Sequence, residues 1–286
     1  MKKTILITGS SGWIGKHLIK KISKYNIPIE KNGKKIDLRD REKVLKLKRV
    51  NTVIHLAGKT PYAKKLSDGE IFEHNILGTL NILEYCVVKK VEKLIFVSSY
   101  VYGNPKYNPI DEKHIVQPHN TYAKSKYLAE ELCKMYEKKF GIKVIILRPC
   151  NLFGDFQKKG FLISNIIESI KNNSSILITN KNNKRDYLLI DDFINVILKM
   201  IDFDSKFEVF NIGSGKSYSF ERIIQIFEKK SGRKIKRENK VSKKNNISKI
   251  QADISKISKK TGWHPKYNFE EGVEKILLEK KLLSEQ

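Results

Sequence analysis

No stretch of this chain reaches the roughly 18 consecutive apolar residues of a membrane-crossing helix, so no transmembrane span is expected. The opening Met1-Lys-Lys-Thr4 runs straight into an apolar tract. It has neither the apolar core nor the cleavage site of a signal peptide, and a cytoplasmic location is the expectation. Cysteine is sparse. Cys86, Cys133 and Cys150 are the only three and have no paired spacing, which argues against a disulfide framework and fits a reducing compartment. Histidine offers no metal centre: His55, His74, His114, His119 and His264 lack ligand spacing with one another or with cysteine. Arginine is scarce too, at eight residues against 49 lysines. The formal charge of +26 therefore does not read as a nucleic-acid surface. The lysines are spread along the chain, and lysine lacks the planar fork that grips phosphates and base edges. The abundance of Ile and Asn fits compositional drift in an A/T-rich genome. No nucleic-acid partner is expected, although the charge would draw in a dianionic small molecule.

What is present is the patterning of an α/β chain. With 286 residues and 40% hydrophobic content there is apolar material for one large lobe or two smaller ones. Short apolar runs at 4–8, 52–57, 94–98 and 143–148 alternate with helical patterns near 14–24, 41–47, 70–89 and 122–140. This is βαβ repetition, and it predicts a parallel sheet. The stretch from Asn26 to Asp37 is the weakest strand candidate, because Pro28 argues against a central position. Beyond Asn151 the pattern loosens. It reads as a helix at 161–171, loops at 172–175 and 180–184, a strand and helix over 187–200, and helices at 220–231 and 270–281. The basic, polar stretch 236–249 reads as a loop.

The run Thr8-Gly9-Ser10-Ser11-Gly12-Trp13-Ile14-Gly15 sits between the apolar tract Ile5-Leu6-Ile7 and a helical pattern that starts near Ile14. Gly9 permits a tight turn, Gly12 lets a pyrophosphate approach the backbone, and Gly15 lets the helix pack closely on the sheet. The helix N-terminus adds free N–H groups and a partial positive charge. Gly9, Ser11, Gly12, Trp13, Ile14 and Gly15 are therefore candidate dinucleotide contacts.

A second motif is Tyr122-Ala-Lys-Ser-Lys126, in a helical pattern. Residues four apart share a helix face, so Tyr122 and Lys126 point the same way. A free phenol has a pKa of about 10, and a neighbouring ammonium is expected to lower it. A surface Tyr and Lys is the bland alternative. Placement after the apolar run Leu94-Ile-Phe-Val97 and the pair Ser98-Ser99 favours chemistry. Thr121 reads as the helix N-cap.

Further segments join these two. They include Val53-Ile-His-Leu-Ala57, Asn75-Ile-Leu-Gly-Thr-Leu-Asn81, Val97-Ser-Ser-Tyr-Val-Tyr-Gly103 and Leu147-Arg-Pro-Cys-Asn-Leu-Phe-Gly154. Arg185-Asp-Tyr187 with Ile190-Asp-Asp192, Phe210-Asn-Ile-Gly-Ser-Gly215, Ala252-Asp-Ile-Ser-Lys256 and Gly262-Trp-His-Pro265 complete the set. With them the chain resembles the extended short-chain dehydrogenase/reductase family, within its sugar-nucleotide epimerase, dehydratase and reductase group. The likeness runs from end to end. It implies a Rossmann-like doubly wound parallel sheet with a smaller C-terminal α/β substrate lobe. Residues 1–150 plus about 187–213 would bind the dinucleotide, and about 151–186 and 214–286 would bind the substrate.

The resemblance also implies roles. Tyr122 would be the general acid/base, and Lys126 would hold the nicotinamide ribose. A serine hydroxyl would orient the reacting oxygen: counting from Tyr102 favours Ser98, counting from the strand favours Ser99. Asp37 and Leu38 would contact adenine. His55, Leu56 and Ala57 would line the cofactor path, with a simply packed His55 as the alternative. Asn75 would be structural. Pro149, Cys150 and Asn151 would flank the nicotinamide and the substrate. Arg185 would bind the diphosphate of a nucleoside-diphosphate sugar, against the alternative of an ion pair with Asp186 or Asp192. Where relatives have a second phosphate-binding arginine, this chain offers Lys243, Lys244 and Lys249. The cofactor is NAD or NADP: Glu30 would suit a ribose hydroxyl, whereas Lys31, Lys34 and Lys35 would suit a 2′-phosphate. A homodimer is expected through the helices near 70–89 and 122–140, with Ile82, Leu83, Leu128 and Leu132 as apolar candidates.

Absent residues narrow the chemistry that the resemblance allows. Tyr100 and Val101 stand where dehydratases of the group carry an Asp-Glu pair. Tyr100 also stands where epimerase-reductases carry a cysteine. Simple redox at one carbon remains, with C4 the expected position. A 4-keto sugar nucleotide reductase is the first expectation and a 4-epimerase the second. A non-catalytic dinucleotide sensor or RNA-binding relative is the alternative of another class, and retention of Tyr122 and Lys126 argues against it.

Overall fold

The computed structural model describes residues 4–22, 36–60, 66–178, 181–239 and 248–284. In chain order the elements begin β1 (Ile5–Thr8), α1 (Trp13–Lys21), α2 (Arg41–Leu45), β2 (Thr52–His55), α3 (Asp68–Phe72) and a π-helical turn (Glu73–Leu77). Next come α4 (Gly78–Val88), β3 (Lys93–Val97), α5 (Thr121–Phe140), β4 (Lys143–Pro149), β5 (Asn151–Phe153), α6 (Leu162–Asn172) and β6 (Ile176–Ile178). The chain continues through β7 (Lys184–Leu189), α7 (Ile190–Asp202), β8 (Phe207–Ile212), β9 (Ser217–Ser219), α8 (Phe220–Ser231), β10 (Arg237–Asn239), α9 (Ser255–Thr261) and α10 (Phe269–Glu279).

The main sheet has the order β1-β2-β3-β4-β8, and its first four strands run parallel. Every residue of β1, β2 and β3 is buried, as strands covered by helices on both faces must be. This is a Rossmann-like sheet. The register pairs Thr8 with His55, His55 with Phe96, and Phe96 with Ile146. The carboxyl ends of four strands therefore line one edge, where open α/β sheets bind ligands. The weak strand candidate between Asn26 and Asp37 lies outside the described residues apart from its last two.

Two compact units result. One comprises Met1–Gly103, Ile115–Pro149 and Ile194–Phe210; the other comprises Asn104–His114, Cys150–Phe193 and Asn211–Gln286. Asn104–His114 groups with the second unit, where Ile110 bonds through its backbone to Gln251 and Asp253, a long-range pairing that no local pattern announces. In the first unit, α4 and α5 pack on the sheet through Ile82, Leu83, Cys86, Ala129 and Cys133. Ile82 and Leu83 are fully buried there, so neither is a spare apolar contact for a second subunit. Leu128 and Leu132 remain half-buried.

In the second unit, β5 runs parallel and β9 antiparallel to β7, and β6 pairs with β10. Helices α6, α8 and α10 supply its core through Ile163, Ile166, Ile223, Phe227, Phe269 and Ile276. The stretch expected to be a loop from Lys236 to Lys249 thus opens with a strand. Its basic character does not make it a loop there, because Arg237 is held by Glu221 and Glu228 of α8. Lys243 and Lys244 lie outside the described residues, whereas Lys249 bridges to Lys184. Among the described residues no helix is long and apolar enough to cross a membrane.

Candidate active site

The chain leaves β1 through Gly9, whose φ of +71° only glycine adopts without strain. A Cβ on Gly9 would lie 2.7 Å from the Ala57 nitrogen, and one on Gly15 would lie 2.3 Å from the Gly9 carbonyl oxygen. Gly15 thus packs tightly against the backbone of the turn that leaves β1. Gly12 differs. A Cβ there would meet only the Gly9 oxygen, at 3.1 Å. Gly12 also caps α1 with no side-chain hydrogen bond, and Lys20 and Lys21 occupy the last turn. A first turn without a side-chain cap, beside a glycine that leaves space, fits the pyrophosphate of a dinucleotide. Ser11 is exposed, Trp13 and Ile14 are half-buried, and Leu56 and Ala57 follow β2 half-buried.

Asp37 and Leu38 lie in the turn before α2. Asp37 is held down to about 2 by hydrogen bonds from Arg39, against a smaller opposing effect of burial. The Arg39 guanidinium reaches it at 2.7 Å and also pairs with Glu73. Asn81 donates to the Leu38 carbonyl at 2.8 Å, which fixes the turn to α4. Arg39 was not legible as a site residue, although its spacing from Asp37 is a local signal. Glu30, Lys31, Lys34 and Lys35, on which the cofactor choice turned, lie outside the described residues.

His55 is buried and linked on both sides. Its Nδ1 lies 2.6 Å from the Thr8 hydroxyl, and its Nε2 lies 3.0 Å from that of Thr79. The Thr79 proton goes to the Asn75 carbonyl at 2.6 Å. Nε2 must therefore carry the imidazole proton, and Nδ1 accepts from Thr8. Burial, with Lys126 nearby, lowers the His55 pKa to about 3 and keeps the ring neutral. These contacts favour a packed histidine. The π-helical turn presents Asn75 to the loop after β2. Its amide accepts from Lys59 N at 2.7 Å and donates to the Ser125 hydroxyl at 2.9 Å. Ser125 in turn donates to the Tyr122 carbonyl at 2.8 Å.

Helix α5 opens one residue earlier than the sequence suggested. Asn120, not Thr121, is the cap: its Oδ1 accepts from Ala123 N at 2.8 Å. Both residue types can cap, and only the backbone path selects between them. Lys126 is buried, with Nζ 4.2 Å from the centre of the Phe96 ring. Burial lowers its pKa from 10.5 to about 8. Tyr122 corrects an expectation. Its pKa is raised, because desolvation outweighs the opposing hydrogen bond from Ser99. The two serines separate as well. Ser99 reaches the Tyr122 hydroxyl, whereas the buried Ser98 Oγ has no hydrogen-bond partner among the described residues. An unmade bond of that kind costs about 1–3 kcal/mol, which suits a group meant to meet a ligand oxygen. Pro149 ends β4, buried.

The second unit holds Cys150, Asn151 and Arg185. Burial pushes the Cys150 thiol well up, which makes it a poor nucleophile at neutral pH. Asn151 donates to the Asp186 carbonyl at 3.1 Å. The Arg185 guanidinium donates to the Lys184 carbonyl at 2.9 Å and lies 5.7 Å from the Phe220 ring centre. The two carboxylates weighed as its alternative partners accept several other hydrogen bonds. Asp186 accepts from Ser214, Gly215 and Ala252, and Asp192 from Lys266 and Tyr267.

Residues 5–213 match the family described as NAD dependent epimerase/dehydratase. A Methanocaldococcus jannaschii protein with the provisional designation UDP-glucose 4-epimerase is 31% identical, over 96% of this chain and 97% of its own. The Escherichia coli dTDP-4-dehydro-6-deoxyglucose reductase is 27% identical, over 96% and 97%. Among solved structures, the Thermotoga maritima UDP-glucose 4-epimerase with UDP-glucose superposes with a TM-score of 0.89 at 25% identity, covering 98% of this chain and 99% of that one.

Proposed function

Because the chain belongs to the NAD dependent epimerase/dehydratase family, among its extended short-chain dehydrogenase/reductase enzymes of sugar-nucleotide metabolism, we propose that it reduces C4 of a 4-keto nucleoside-diphosphate sugar with NADH or NADPH. The observation that carries this reading is Tyr122. Its hydroxyl is bonded to Ser99, Lys126 lies one turn on, and burial holds the phenol protonated. A protonated phenol is what a ketone reduction needs as its acid.

The nicotinamide, when bound, supplies the hydride. The residues do the rest. The first turn of α1 and Gly12 receive the pyrophosphate, and Lys126 holds the ribose. Ser98 Oγ donates to the C4 oxygen, and Tyr122 gives its phenolic proton to that oxygen. Ser99 steadies the resulting phenolate. A 4-epimerase is the second reading, favoured by the name of the 31%-identical relative. It would use the same groups in both directions. Cofactor stoichiometry tests the choice in a panel of UDP-, dTDP- and GDP-sugars: one NAD(P)H consumed per turnover marks a reductase, and none marks an epimerase. We also infer a cytoplasmic homodimer through α4 and α5.

Two further outcomes are expected. Lys126 is charged below about pH 8 and neutral above it. The kcat/KM profile should therefore fall on the alkaline side with an apparent pKa near 8, and a flat profile to pH ~10 would remove the ammonium from the mechanism. For the diphosphate, loss of a charge-assisted contact of about 1.5–3 kcal/mol means that Arg185→Ala weakens nucleoside-diphosphate binding about 10- to 100-fold. Arg185→Lys should recover part of it, and NADH affinity should hold. Calorimetric titration with UDP, dTDP, GDP and NADH measures both; parental affinity for all three would leave Arg185 a structural residue.

A further inference from the structure

Helix α5 carries a second buried charge that the proposed chemistry does not use. Glu130 lies one turn beyond Lys126 and is 3% exposed, and its partner Arg148, near the end of β4, is 7% exposed. Arg148 Nε lies 3.0 and 3.1 Å from the two carboxylate oxygens, and Nη2 lies 2.5 Å from Oε2. Nη1 donates to the Tyr102 hydroxyl at 2.8 Å, and the guanidinium lies 5.0 Å from the Tyr102 ring centre. Tyr102 is itself buried.

An ion pair closed off from water gains little net stability, because desolvating both charges offsets their attraction. Apolar side chains of similar volume would hold α5 to the sheet equally well. They would lack the directional fork, which fixes distance and register together. The three residues also stand on the three segments that carry the acid/base constellation. Tyr102 follows the serine pair on the loop after β3, Glu130 shares α5 with Tyr122 and Lys126, and Arg148 precedes Pro149 on β4.

We propose that Glu130, Arg148 and Tyr102 form a positioning brace that sets α5 against the loop after β3, so that the Tyr122 hydroxyl meets the serine pair. The brace rests on the reading of Tyr122 as the acid/base. It also bears on Lys126, whose ammonium is faced by His55 on β2, the Phe96 ring on β3, and Glu130 and Cys133 on its own helix. His55 is neutral, and burial pushes the Cys133 thiol up. Two groups oppose the lowering of Lys126 by burial, Cys133 first and Glu130 second; with the thiol kept protonated, the Glu130 carboxylate is the anion that favours a protonated Lys126.

Three variants separate a brace from bulk packing. Glu130→Gln keeps the shape and removes the charge, the double replacement Glu130→Met with Arg148→Met removes both charges, and Tyr102→Phe removes one hydroxyl. The probes are UDP-glucose with NAD and dTDP-4-dehydro-6-deoxyglucose with NADPH. A second readout needs no cofactor: ¹³C NMR titration of Lys126, assigned by its loss in Lys126→Met. The double variant is expected to melt at or above the parental temperature while its kcat falls about 10- to 100-fold with KM nearly unchanged, as misplacement by about 1 Å would cause. Tyr102→Phe should move kcat in the same direction, and Glu130→Gln should titrate Lys126 at lower pH than the parent. A folded double variant with parental kcat overturns the brace; if it does not fold, parental kcat in Tyr102→Phe does so. Whether or not either probe turns over, an unmoved Lys126 titration in Glu130→Gln also overturns it. Tyr122→Phe is assayed alongside. Turnover retained there removes the acid/base reading itself, whereas an inactive Tyr122→Phe beside a fully active double variant removes the brace alone.

Discussion

Tyr122→Phe is expected to lower turnover by about 10²–10⁴-fold, the usual contribution of a positioned general acid. The substitution removes one oxygen from a side chain whose ring is held at the start of α5, so the fold should be undisturbed. Dinucleotide affinity should change little, because the proposed phosphate contacts lie at Gly9–Gly15. The raised pKa of Tyr122 sharpens the expectation. In reduction the phenol starts with its proton, so the loss should appear in kcat at neutral pH and not only on one limb of the profile. Turnover, NADH affinity by titration and far-UV circular dichroism measure the three quantities. Parental turnover would remove Tyr122 from the mechanism and direct attention to Ser98 and Ser99.

Gly12→Val should weaken dinucleotide binding strongly in a protein that still folds. The Cβ meets only the Gly9 oxygen at 3.1 Å, a contact that a shift of a few tenths of an ångström relieves. The branched methyl groups would then fill the proposed pyrophosphate approach to the first turn of α1. Loss of two charge-assisted hydrogen bonds at about 1.5–3 kcal/mol each corresponds to a weakening of about 100-fold or more. Gly15→Val is the contrasting case. Its Cβ would fall 2.3 Å from the Gly9 oxygen and 2.6 Å from the Ser10 oxygen, so folding should fail first. Calorimetry with NADH and NADPH, next to thermal melting, distinguishes the two. Normal affinity in Gly12→Val would place the phosphates elsewhere.

The features legible in the chain were the local ones. Three glycines at a strand-to-helix turn, a Tyr and Lys four residues apart, and apolar runs alternating with helical periods are all set by backbone geometry over a few residues. That is why the parallel sheet, α5 and the glycine turn are readable from the chain alone. The features that needed tertiary structure depend on which distant segments close around a group. The Tyr122 pKa is raised and not lowered because the Tyr-Lys spacing is local, whereas the desolvation that outweighs the Ser99 hydrogen bond comes from distant segments closing around the ring. Ile82 and Leu83 are apolar residues on a helix, and only the packed sheet shows which side of α4 they face. The two serines are adjacent, and only the packed structure shows which hydroxyl reaches Tyr122 and which is buried without a partner among the described residues. Glu130 and Arg148 are 18 residues apart, and no local pattern pairs them. Their pairing exists because β4 returns beside α5 and excludes water, and water exclusion is a property of the assembled fold and not of any single segment.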